Sequence, residues 1–121
     1  MHNYKLITIS YNKANVNVGM VALDKLLNGE NAILQKGAKI IWIRISKLLD
    51  DLKDWIKNNS EQDSCVFVTK IKVNVGTEYH KNICRPVYDA VKNTNISVIL
   101  LLEYQDYLYD NATTAGLEML V

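Results

Sequence analysis

The chain has 121 residues, 49% hydrophobic and 22% charged, with a formal net charge of +1. That composition suits a single folded domain over residues 1–121 and argues against a disordered chain. A pI near 7.7 leaves no overall basic field for non-specific nucleic-acid binding. Two cysteines, Cys65 and Cys84, make neither a C-x-x-C pair nor the disulfide set usual in small secreted domains. The amino terminus lacks a signal-peptide pattern, and the apolar run Ile96 to Leu102 is far shorter than the roughly 20 residues that span a bilayer. A cytoplasmic protein is the simplest expectation.

In chain order, residues 4–11 alternate as a strand, with Ile7, Ile9 and Tyr11 on one face and Leu6 and Thr8 on the other. Asn15 or Asn17 can cap a helix over 17–28 that buries Val18, Val21, Ala22 and Leu26, with Leu23 beside them. Asn28-Gly29 supplies its stop. Residues 30–37 fit either a turn or a short strand at Ala32-Ile33-Leu34. Residues 38–45, rich in β-branched side chains, predict a strand. Ser46 then caps a helix over 47–58, in which Leu48, Leu49, Leu52, Trp55 and Ile56 build one apolar stripe.

Residues 65–75 predict a strand with Phe67, Thr69, Ile71, Val73 and Val75 on one side. Lys70, Lys72 and Asn74 fall on the other, which suggests a half-exposed or edge position. Thr77 is a cap for a helix over 77–93 carrying His80, Ile83, Cys84, Val87 and Val91. Pro86 either kinks that helix or begins it. Residues 97–104 predict a strand apolar on both faces and therefore covered on both. Asn111 can cap a last short helix through Met119. The alternation predicts a single-domain α/β sandwich with a mixed, partly parallel sheet of four to five strands and three to four helices. Leu52, Trp55, Ile71, Ile99 and Leu101 are the expected core.

Charge is unevenly distributed along this scaffold. Residues 1–49 hold seven basic residues against Asp24 and Glu30, whereas residues 94–121 hold no lysine or arginine. The same final stretch carries Glu103, Asp106, Asp110 and Glu118, and three acids alternate with Tyr104, Tyr107 and Tyr109 between 103 and 110. Tyrosine offers a large contact area and a hydroxyl at small entropic cost, and clustered acids steer toward a basic surface. The expected partner-binding surface is therefore Glu103, Tyr104, Asp106, Tyr107, Tyr109 and Asp110, against the plainer reading of a solvated element end.

A sharper alternative is a small Mg²⁺-dependent nuclease or phosphodiesterase. Glu103 and Asp106 would follow a central strand at the carboxyl edge of the sheet and could hold a metal there. Lys70 and Lys72, however, lack the acid two positions earlier that the restriction-nuclease pattern wants: Val68 and Lys70 stand in those places. His80 and Cys84 share helical spacing, but two ligands fall short of a zinc site. Cys84 reads better as a small buried hydrophobe. Gly19, Gly29, Gly37, Gly76 and Gly116 are too scattered for a phosphate-cradling loop, so no cofactor is implied. Lys5, Lys13, Lys36, Lys39 and Arg44 are spread as solubilising charges usually are.

With no catalytic set, the chain is similar in general character to immunity proteins and antitoxins, on the composition and charge pattern of residues 94–121. That resemblance implies a non-enzymatic protein-binding module that neutralises a basic partner such as a nuclease toxin, with neither membrane nor direct nucleic-acid contact.

Overall fold

The computed structural model describes residues 5–12, 16–28, 40–42, 45–59, 61, 65–74, 78–104 and 116–120. It is an α/β structure whose centre is three parallel strands: β1 (Leu6–Asn12), β3 (Cys65–Val73) and β4 (Ile96–Tyr104). A three-residue strand, β2 (Ile40–Trp42), pairs parallel with β3, and β5 (Gly116–Leu120) pairs antiparallel with β1. The order across the sheet is β2-β3-β4-β1-β5. Three α-helices, α1 (Val16–Asn28), α2 (Ile45–Asn59) and α3 (Arg85–Val91), connect the parallel strands.

Right-handed crossovers explain where the helices lie. The connection from β1 to β2 runs across the sheet in one direction, and those from β2 to β3 and β3 to β4 run back in the other. The helices therefore fall on opposite faces. Leu23, Leu26 and Leu27 of α1 pack with Ile7, Ile9, Tyr11, Val66, Val68, Ile99 and Leu101. Leu48 and Leu52 of α2 and Val87 and Val91 of α3 pack on the other face, with Phe67, Ile71, Val98, Leu100 and Leu102. β4 is sealed on both sides, and of its nine residues only Ser97 is not buried. A nearly continuous apolar run is what such a strand requires.

The expected core is present but divided between the two faces. Leu52 and Ile71 belong to the α2/α3 side, and Ile99 and Leu101 to the α1 side. Trp55 is only partly buried; its ring stacks on Phe67 at 5.4 Å between centroids.

Several expectations are corrected. Val21 is 55% exposed, and Leu27 is buried instead. The stripe of α1 runs through Val16, Met20, Leu23 and Leu27, a phase that leaves Val21 on the solvent side. β3 is an interior strand bonded to both β2 and β4. The half-exposed reading of its polar side does agree with the structure: Lys70 is half-buried, and Lys72 and Asn74 are exposed. α2 begins at Ile45, which puts Ser46 inside its first turn rather than at its cap. Residues 116–119, expected in a helix, form β5, because the outer edge of β1 offers a full ladder from Leu6 to Ser10.

The helical stretch before β4 is built from two pieces. A π-helical turn, His80–Cys84, closes with the Arg85 N–H donating to the His80 carbonyl, and α3 continues from it. Pro86 sits at the start of α3, where its missing N–H costs little. Thr94 ends α3: its backbone N–H (2.9 Å) and hydroxyl (2.8 Å) both donate to the Val91 carbonyl. The same hydroxyl accepts from the Ile96 N–H at 3.0 Å, and Lys5 Nζ donates to the Thr94 carbonyl. These bonds join the first residues of β1 and β4, whose pairing opens with the Val98 N–H on the Lys5 carbonyl at 2.8 Å. Expectations for residues 30–37, for the caps Asn15 and Thr77, and for Asn111 lie outside the described residues.

Candidate functional site

Parallel strands that run the same way bring their carboxyl ends to one edge of the sheet, where open α/β folds take ligands. Here the register puts Lys72 of β3, Glu103 of β4 and Tyr11 of β1 side by side on consecutive strands. Side chains alternate along a strand, and Tyr11, Ile99 and Leu101 belong to the α1 side. Glu103 follows Leu101 by two residues and Lys72 follows Val68, a member of the same cluster, by four, so both face the same way. The preceding row on this face is Lys70, Leu101 and Ile9.

The row grades from solvent to interior. Lys72 is exposed, Glu103 is 8% exposed, and Tyr11 is fully enclosed. A carboxylate held this far from water is costly unless charge or hydrogen bonds compensate it. The Tyr11 hydroxyl is buried and has no hydrogen-bond partner among the described residues. Burial first, and the negative charge of Glu103 second, push its pKa from 10.0 up to about 12. The phenol therefore stays protonated across the physiological range and can both donate and accept.

On the opposite face Tyr104 is 2% exposed and belongs to the α2/α3 core. Its ring meets Tyr79 edge-on at 6.2 Å, and Tyr79 in turn stacks on the exposed His80 at 4.4 Å. Cys84 and Cys65 are both buried and form no disulfide. The sulfur of Cys65 lies 3.9 Å from the Asn59 side-chain oxygen at the end of α2.

Of the six residues expected to bind a partner, the structure places two, Glu103 and Tyr104, as the last residues of β4 and on opposite faces of it. Both side chains are buried, so neither lies open at the surface. Asp106, Tyr107, Tyr109 and Asp110 lie outside the described residues. The strand continues to Tyr104.

Tyr11 is the participant that sequence reading passes over. Its alternation marks it as a core residue; only the pairing of β1 with β4, two elements more than eighty residues apart, brings it to Glu103. Lys72 is likewise visible in the sequence, and the register alone makes it a neighbour of that carboxylate. Among the described residues no helix is long and apolar enough to cross a membrane. In comparisons with known proteins, no family model matches this sequence, and no curated protein or solved structure shows significant similarity to it.

Proposed function

We propose that this chain, a single α/β sandwich domain, is a non-enzymatic binding module. It engages a basic protein through the acidic, tyrosine-rich segment that begins at the end of β4, in the manner of an immunity protein or antitoxin acting on a nuclease toxin. The observation that supports this most is the burial of Glu103 and Tyr104 at the carboxyl end of a central parallel strand. Those two side chains anchor the root of the segment in both core layers, so that Asp106, Tyr107, Tyr109 and Asp110 follow directly from a rigid element. Binding groups carried near a fixed scaffold lose less entropy on association. The charge pattern adds direction, since residues 94–121 contain four acids and no base.

The test is co-purification from the native host, followed by association kinetics with the protein recovered. Charge reversal of Asp106 and Asp110 should slow association, and Tyr107→Ala should speed dissociation. A partner whose affinity ignores all three changes would reduce the segment to a solvated strand end. The competing reading, a Mg²⁺-dependent phosphodiesterase, draws support from Glu103 lying at the carboxyl end of a central strand in register with Lys72. It requires metal-dependent cleavage of DNA or RNA by the purified protein, abolished by Asp106→Ala; intact substrate is the expected result.

A further inference from the structure

We propose that Asn28 is a site of spontaneous chemical modification, deamidation through the backbone nitrogen of Gly29, and that Asp24 slows it by tethering the Asn28 amide. Of the asparagines in the chain, only Asn28 is followed by glycine. Glycine has no Cβ to obstruct an approach from the preceding side chain. Asn28 is exposed and is the last residue of α1, and helices open most readily at their ends. Its Nδ2 donates to Asp24 Oδ1 at 3.0 Å, one turn back along the helix. Side chains of an α-helix lean toward its amino terminus, and this bond holds the amide on that side. The nitrogen that must attack follows Asn28 in the chain, so the tether has to break before the reaction can begin.

In the reaction the Gly29 nitrogen gives up its proton to solvent and bonds to Asn28 Cγ. The Cγ–Nδ2 bond breaks and ammonia leaves, taking its proton from water, so that a cyclic succinimide remains. Water then opens that ring at either carbonyl, and the product is aspartate or isoaspartate at position 28. Nothing is oxidised or reduced, and water is the only co-reactant. The new group has lost its N–H donor and carries a negative charge. It stands one turn from the Asp24 carboxylate and at the carboxyl end of α1, where the helix dipole disfavours anions. The last turn of α1 also carries Leu26 and Leu27 into the core, so loosening it reaches the sheet.

The experiment incubates the full-length chain in mildly alkaline buffer and follows residue 28 by mass spectrometry of the tryptic peptide 26–36. The expected result is a first-order exchange of the amide for a hydroxyl at Asn28, nearly abolished in Gly29→Ala. Asp24→Val has no acceptor but a similar helix propensity. It should react about twofold faster than wild type, the worth of one exposed helix pair. Asp24→Asn keeps an acceptor oxygen and should stay near the wild-type rate. Equal rates in Asp24→Val and wild type overturn the tether. So does an Asp24→Asn variant as fast as Asp24→Val, which would assign the effect to charge. An Asn28 that stays intact in wild type and in Asp24→Val overturns the site itself. Asn28→Asp, which makes one product directly, should lower the folding equilibrium constant about two- to fivefold in chemical denaturation. Combining it with Asp24→Asn should recover part of that loss. A folding constant unchanged in Asn28→Asp overturns the consequence for α1.

Discussion

Tyr11 and Trp55 make a useful pair, because both are aromatic residues with a buried polar atom lacking a hydrogen-bond partner among the described residues. Removing the Tyr11 hydroxyl as Tyr11→Phe deletes an unsatisfied group and keeps the ring. The isolated protein should be unchanged or more stable by up to ~1 kcal/mol in chemical denaturation. The same hydroxyl links stability to alkaline pH. Its folded pKa, about 12, lies above the unfolded value of 10.0, so folding favours the protonated phenol. That contribution is complete below pH 10 and is lost as pH rises from 10 to 12. Tyr11→Phe should therefore lose less stability than wild type over that window; equal losses would refute the assignment. Trp55→Ala removes a half-buried ring stacked on Phe67 and should cost ~2–3 kcal/mol, less than the ~3–5 expected for a fully enclosed one. Val21→Ala, on the exposed side of α1, should change stability by less than ~0.5 kcal/mol.

At the scale of elements, β5 is the informative case. It covers the outer edge of β1 from Leu6 to Ser10 with antiparallel bonds. Ending the chain before Gly116 leaves that row of β1 backbone groups unpaired, and exposed strand edges recruit other chains. The truncated protein should melt at a lower temperature and self-associate, visible as early elution in size-exclusion chromatography. A monomer of unchanged melting temperature would mean that β5 adds nothing to the sheet. The π-helical turn before α3 carries a different lesson. It lets a helix containing Pro86 run on into α3 while Ile83, Cys84, Val87 and Val91 all stay buried against the sheet.

Across the whole molecule, β4 is the element on which both core layers depend. Its residues appear in both clusters, and it is bonded on both edges. Its amides should be among the slowest to exchange with deuterium, opening only with global unfolding, while those of β2 at the sheet margin exchange sooner. Fast exchange at Ile99 to Leu101 would contradict this hierarchy. The proposed partner should associate faster at low ionic strength with little change in dissociation rate, since charge complementarity acts mainly on encounter.

Local pattern was enough for the type of β1, α1, α2, β3 and β4, because each carries a hydrophobic period long enough to specify it, although on α1 it put Val21 inside and passed over Leu27. Leu48 and Leu52 on α2 and the doubly apolar run of β4 are the clearest cases. The acidic end of the chain was equally legible, since charge needs no fold to be counted. Long-range pairing decided the rest. β5 is too short for its own period to choose between helix and strand, and the open edge of β1 made the choice. The polar side of β3 fitted either a half-exposed or an edge strand, and only the pairing with β2 and β4 decided for a half-exposed interior strand. The meeting of Tyr11, Glu103 and Lys72 could come only from the tertiary structure. Each is an ordinary residue of its own strand, and a one-residue change in register would turn its neighbour to the opposite face.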